Sequence, residues 1–336
     1  MTKIALLSLL TLAPLALSAH SDHDHANHDT HGTLDTDARP MSVVPGWAVG
    51  GNDAPTPAVG STHGGIIVDQ AGLIYVSSSR GIFVFNDAGD QTKSFEGPEY
   101  ANIHAMTLNE EDGIEYIYAA RNNNAEAIKL KTTGEVLLTL KFPTEAGVKG
   151  KFKPTAVAVK PNGNILITDG YGTNVIFEFD PTGQYLSHFG GKDPKVIEKF
   201  KTPHGITLDT RYEPARLLIS DREKMRLVHF TLEGEFIGEV ITALRRPCAV
   251  SISKDGHVAI AELQGRVALL NQDNQLIGVL GDNPDTTQHA NFKVPVAEWN
   301  EGIFTAPHGL SWDNDGNLYV QDWNIIGRVT KWTPEN

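Results

Sequence analysis

A single cysteine, Cys248, stands among 336 residues. No intramolecular disulfide can form, and no thiol follows the N-terminal apolar stretch to carry a lipid. Burial and hydrogen bonding must therefore hold the fold together. Runs of Lys and Arg are missing as well, and the net charge of −13 argues against nucleic acid as a partner, because a polyphosphate needs clustered cations. Beyond Leu17 no segment approaches about 18 uninterrupted apolar residues, the length that reads as a membrane span. The sequence also has no Gly-x-Ser-x-Gly elbow, no phosphate-cradling glycine loop and no His-Glu-x-x-His helix.

What is present in quantity is turn-forming residues, 32 Gly and 18 Pro, in a chain that is 40% hydrophobic and 21% charged. That balance favours many short strands over long helices. At the N-terminus Lys3, an apolar run from Ile4 to Leu17 and the small residues Ser18 and Ala19 have the layout of a cleaved export signal. Residues 1–19 are thus expected to be a signal peptide and the mature chain to be exported, periplasmic or secreted. Residues 20–40 begin with His20, His23, His25, His28 and His31 interleaved with Asp22, Asp24 and Asp29, and almost nothing among them could pack. A disordered tail is expected there, either a weak trap for Zn²⁺ or Cu²⁺ or a solvated leader.

From about residue 57 to residue 332 one pattern recurs six times: a small or apolar strand, a turn with Asp or Pro and Gly, a strand of the Leu-Tyr-Val type, a short loop, and a third alternating strand. Most copies continue into a fourth strand, but the sixth stops at Trp332 as the chain ends. The expected fold is all-β, a six-bladed β-propeller over residues 41–336, with Met41 to Val49 pairing onto the open sixth blade to close the ring.

The propeller register gathers residues by position. In each blade the first strand lines the central channel, and its start shares a face with the loop between the second and third strands. The inner-strand starts read His63, His104, Thr155, His204, Cys248 and His308 around the ring. His104, His204 and His308 are 100 and 104 residues apart, which places them on alternate blades about a threefold axis. Three imidazoles converging there would leave a tetrahedral metal one open position, as in a catalytic zinc site. The competing reading is a Pro-His-Gly element that serves the turn alone. His63 breaks the alternation and reads as a hydrogen-bonded channel residue, and Cys248, between ligand blades, as a buried apolar thiol. The loops after the second strands bring Arg80, Arg121, Tyr171, Arg222, Gln264 and Trp323 to the same mouth. Arginines there could fork onto a carboxylate, and a phenol beside a metal could act as a base. The insert from Gly281 to Phe304 either arches over this mouth or is a plain surface loop.

The stretches Asp169-Gly170-Tyr171, Ser220-Asp221-Arg222-Glu223 and Pro203-His204-Gly205-Ile206 carry a resemblance. Over nearly all of residues 57–332 the chain resembles NHL-repeat propellers, and among them the peptidyl-α-hydroxyglycine α-amidating lyases. The resemblance implies zinc on His104, His204 and His308, a catalytic tyrosine at Tyr171, and essential arginines at Arg222 and, in a differing motif, Arg80. It implies cleavage of a C-terminal α-hydroxyglycine into an amide and glyoxylate. Animal members carry disulfides and often an acidic residue after the last histidine, used for calcium; Gly309 stands there here, which counts against calcium. The substrate would be a small molecule or a peptide, with neither nucleic acid nor a membrane span involved. The alternative is a non-catalytic NHL propeller that binds a peptide or protein in its mouth. A hydrolase or lactonase on this scaffold would instead surround calcium with carboxylates and Asn.

Overall fold

The computed structural model describes residues 40–47, 59–193 and 195–335. The expected signal peptide, and the tail apart from Pro40, lie outside the described residues. Six four-stranded antiparallel sheets follow one another along the chain. Their inner strands are Ile66–Val68, Ala105–Glu111, Ala156–Val159, Pro203–Asp209, Pro247–Ile252 and Pro307–Trp312. Each packs against the next, and the sixth against the first, so the sheets form a closed ring around a channel. The chain is a six-bladed β-propeller.

Closure follows the expected route. Met41–Val43 pairs antiparallel with Arg328–Pro334, Met41 opposite Pro334 and Val43 opposite Trp332, as the outermost strand of the sixth blade. The N-terminal segment thereby covers an edge that the C-terminal strand would leave unpaired. The described closing strand is shorter than the expected span, and residues 48 and 49 lie outside the described set.

A side-chain period of two makes this ring stable. Successive residues of a strand point to opposite faces, and a blade is covered on both. In the second blade Ile117 and Ala119 pack towards blade one, whereas Tyr118 and Ala120 pack towards blade three. Six apolar cores result, one at each junction between neighbouring blades, including the junction of blade six with blade one around Ile66, Phe83, Phe85, Tyr319 and Val329. This two-sided burial is why the second strands read as continuous apolar runs rather than alternating ones. At about 1.5–3 kcal/mol for each fully buried aliphatic or aromatic side chain, the junctions offset the missing disulfides. Among the described residues no helix is long and apolar enough to cross a membrane.

Candidate metal centre and active site

The six inner-strand starts meet at one mouth, where three imidazoles form a nearly equilateral triangle. The ring centroids of His104 and His204 are 4.8 Å apart, those of His104 and His308 4.9 Å, and those of His204 and His308 4.7 Å. Imidazoles sharing one tetrahedral ion, with metal–nitrogen distances of about 2.0–2.1 Å, hold their ring centres roughly 5 Å apart. The ring centres therefore have the spacing of such a donor set.

Ring closure also sets the tautomers. His104 Nδ1 lies 2.6 Å from the Thr155 carbonyl oxygen and His204 Nδ1 3.0 Å from that of Cys248. A carbonyl only accepts, so both rings donate from Nδ1 and keep the Nε2 lone pair. In each case the carbonyl belongs to the inner-strand start of the following blade. His308 packs closely against blade one, where a Cβ at Gly64 would collide with its Nδ1. Burial pushes all three rings well below the ordinary histidine value, and the Arg222 charge acts in the same direction. At neutral pH the three rings are uncharged.

Tyr171 enters the triangle from the loop after the second strand of blade three. Its hydroxyl is 2.8 Å from His204 Nε2 and 3.3 Å from His104 Nε2, and Arg222 Nη1 donates to it at 2.9 Å. Because Nε2 of His204 is an acceptor, the phenol donates its own proton there. Burial pushes the phenol up to about 12, against the pull of the Arg222 charge. The turn that delivers it closes on Asp169, whose carboxylate accepts from the Thr173 amide at 2.7 Å and hydroxyl at 2.6 Å. Both flanking glycines are required by close approach, since a Cβ on Gly170 would strike the Pro203 carbonyl oxygen and one on Gly172 the Lys151 carbonyl oxygen.

Arg222 is largely buried, with its guanidinium carbon 5.0 Å from the centre of the Tyr171 ring. Glu223 accepts from its Nε at 3.1 Å and from Arg246 Nη2 at 2.6 Å, joining two arginines at the mouth. Arg80 stands apart in character: its side chain is half-exposed, pairs with Glu96 at 2.7 Å and lies over Phe83. Arg121 is not a rim residue. It is buried in an ion pair with Glu126 and also donates to the Pro98 carbonyl.

His63 departs from its expected part as a hydrogen-bonded bystander. Its ring centroid is 4.3 Å from that of His104 and 4.5 Å from that of His308, and it stacks on Trp323 at 6.0 Å. Two overlapping donor sets could hold a metal ion, His63 with His104 and His308, and His204 with Cys248 and His308, each with donor atoms within 4.8 Å of one another. The expected triple is divided between them and shares His308. Cys248 is buried, as expected, and its Sγ lies within 4.8 Å of donor atoms of His204 and His308; burial pushes its thiol up to about 11 against the Arg222 charge.

Carboxylates at the ends of second strands are the supports that residue-by-residue reading missed. Asp221 Oδ1 accepts from the Lys201 amide at 2.8 Å, and Asp322 Oδ1 from the Thr305 and Ala306 amides at 3.1 and 2.7 Å. They tie down the loops that lead into His204 and His308. Glu262 does the same for the Arg245 amide before Cys248. The recurrent acidic residue closing the second strand was the available signal.

The insert packs along the rim beside this mouth. The Ala290 amide faces the carbonyls of Leu263 and Thr305, and Phe292 lies 4.9 Å from Trp323. Beneath the histidines is a cavity of about 70 Å³ lined by inner-strand residues that include His104, His204, Cys248 and His308. A larger cavity of about 1090 Å³ lies at the far ends of the same strands, lined by Asp69, Thr107, Leu208, Ser251 and Trp312 among others. Its lining includes none of the histidines, Tyr171 or Arg222, which gather at the other mouth.

No family model matches the sequence. Over 206 residues, 59% of this chain and 47% of the relative, the chain is 28% identical to peptidyl-alpha-hydroxyglycine alpha-amidating lyase 2 of Drosophila melanogaster. Over 178 residues, 50% of this chain and 46% of the relative, it is 29% identical to a probable peptidyl-alpha-hydroxyglycine alpha-amidating lyase of Caenorhabditis elegans. The chain is a propeller that resembles these lyases. It spans about half the length of the curated relatives it matches. The fold is shared with virginiamycin B lyase from Staphylococcus aureus, at a TM-score of 0.56 and 14% identity over 88% of this chain and 99% of that one.

Proposed function

We propose that this lyase-like propeller is an exported zinc enzyme that cleaves the carbon–nitrogen bond of a peptidyl-α-hydroxyglycine-like substrate, giving an amide and glyoxylate. The observation that carries the reading is the triangle of neutral imidazoles with the Tyr171–Arg222 pair set into it. The donor set suits a divalent ion of borderline softness, and His104, His204 and His308 would hold it. When bound, the ion supplies Lewis-acid polarisation and draws down the pKa of groups beside it.

The residues of the chain then divide the work. Arg222 binds the substrate carboxylate through its guanidinium fork, and the half-exposed Arg80 at the rim is the second candidate for that task. As the phenolate, Tyr171 accepts the proton of the α-hydroxyl; the electron pair of that O–H bond forms the carbonyl of glyoxylate, the carbon–nitrogen bond breaks, and Tyr171 returns the proton to the leaving amide nitrogen. The Arg222 charge favours the phenolate that this needs, in opposition to burial. The small His-lined cavity and the buried walls around Tyr171 keep bulk water from the reacting atoms.

Purified protein with zinc and benzoyl-α-hydroxyglycine as the model compound is expected to release glyoxylate and benzamide in equal amounts, and to lose this activity on chelation. Stoichiometric zinc with no glyoxylate formed would leave a non-catalytic binding propeller as the better account.

A further inference from the structure

We infer that Arg246 is a further substrate-binding residue of this site, one that takes the substrate's carboxylate jointly with Arg222 across the Glu223 side chain. This rests on the lyase reading above and adds to it a residue that selects for a free carboxylate. Glu223 Oε1 accepts from Arg222 Nε at 3.1 Å, from Arg246 Nη2 at 2.6 Å and from Arg246 Nε at 3.2 Å. Two guanidinium groups are thus held side by side on one carboxylate oxygen.

Arg222 already donates from Nε to Glu223 and from Nη1 to the Tyr171 hydroxyl, so a second guanidinium beside it completes the grip on a carboxylate. Arg246 has the donor to give. Among the described residues its Nη1 makes no hydrogen bond, both of its contacts running from Nε and Nη2 to Glu223. Its charge is felt at the Tyr171 hydroxyl and at the Cys248 thiol, where it opposes burial.

Charge at the mouth points the same way. Arg80 has Glu96 as its own counter-ion, Arg226 has Asp221 and Arg245 has Asp282, whereas Arg222 and Arg246 share Glu223. The imidazoles, Tyr171 and Cys248 around them are uncharged at neutral pH. One positive charge is left over, in a chain whose net charge is −13. A surplus of one sign in a walled mouth draws an anion.

The backbone delivers Arg246 to that mouth by a turn the site uses elsewhere. Its φ of 58° lies in the left-handed region, which a side chain of this kind adopts only at a cost and which gathers at functional sites. Asn102 and Thr202, each two residues before His104 and His204, have φ of 58° and 70°; Arg246 stands in the same place before Cys248. With 32% of its side chain exposed against 11% for Arg222, Arg246 is the outer member of the pair.

The probe is benzoylglycine, the model compound without its hydroxyl, titrated calorimetrically into the full chain loaded with zinc, with its methyl ester as the uncharged control. Arg246→Gln is expected to weaken benzoylglycine binding about tenfold or more, the loss of one hydrogen bond to a charged group, and to leave binding of the ester unchanged. In turnover of benzoyl-α-hydroxyglycine KM should rise by a similar factor with kcat little altered, the mark of lost ground-state binding. Glu223→Gln separates contact from support. With Arg246 on the carboxylate, removing the rival anion leaves benzoylglycine bound as tightly or more tightly, whereas an Arg246 that only props Arg222 through Glu223 gives the same loss in both variants. Absence of binding to the unaltered protein, equal binding by Arg246→Gln, or matching losses in the two variants would overturn the role of Arg246, and glyoxylate release by the unaltered protein would leave the lyase reading standing. Binding of benzoylglycine that depends on Arg246, with no glyoxylate formed from the hydroxylated compound, would keep the carboxylate site and overturn the lyase reading.

Discussion

Arg222 Nη1 donates to the Tyr171 hydroxyl at 2.9 Å, while that hydroxyl faces His204 Nε2 at 2.8 Å. A cation on one side lowers the cost of the phenolate, and so favours a phenol serving as a base despite burial. Tyr171→Phe removes the proton acceptor and leaves the imidazoles in place. Glyoxylate release should fall by about 10²- to 10⁴-fold, the range for a positioned general base, with zinc content unchanged. A variant with near-normal turnover would assign the proton to another group.

Arg222→Lys keeps a charge but loses the planar fork. The carboxylate of the substrate would then be held by a single ammonium, and KM should rise by roughly tenfold or more, as expected for the loss of one charge-assisted hydrogen bond. Arg80→Lys changes an exposed pair with Glu96, and its kinetics separate two accounts: a comparable rise in KM makes Arg80 part of the site, whereas unaltered constants make it a surface residue.

Asp322 links fold and site. Its carboxylate accepts two amides in the loop before His308, and the Arg328 guanidinium lies 3.5 Å away, both side chains being buried. Asp322→Ala leaves that cation without its counter-ion and frees the loop. Loss of one partner of a buried pair costs about 3–5 kcal/mol, which denaturant titration would read directly. Zinc affinity should fall as well. Stability lowered with zinc binding intact would confine Asp322 to the seam.

The ring, its six blades and its N-terminal closure were legible because two-sided burial writes apolar strands into the sequence at regular spacing, and Gly-rich turns separate them. His104, His204 and His308 were legible because alternate blades repeat one register. Positions do not reveal which way a side chain turns. Arg121 shares the register of Arg222 but is drawn into the blade by Glu126, and His63 breaks the alternation yet leans into the triangle. Both outcomes depend on neighbours distant in sequence, Pro98 for the first and Trp323 for the second.

Away from the site, Asp209 at the end of the fourth inner strand predicts how the fold responds to acid. Arg211 and His229 donate to its buried carboxylate, the first at 2.9 and 2.7 Å and the second at 2.9 Å. Burial alone would raise its pKa, but these donors outweigh it and hold the group far below the usual carboxylate range. A group depressed in the folded state binds its proton more readily when unfolded. Its contribution is therefore complete above the ordinary carboxylate value near 4 and declines as pH falls below that value. Asp209→Asn should cost about 1.5–3 kcal/mol at neutral pH, the worth of hydrogen bonds to a charged group, and should flatten the decline in stability below about pH 4. Urea titrations of both proteins at pH 7 and pH 3 measure this as a gap that narrows in acid; a gap of constant size would show that Asp209 keeps no special hold on its proton.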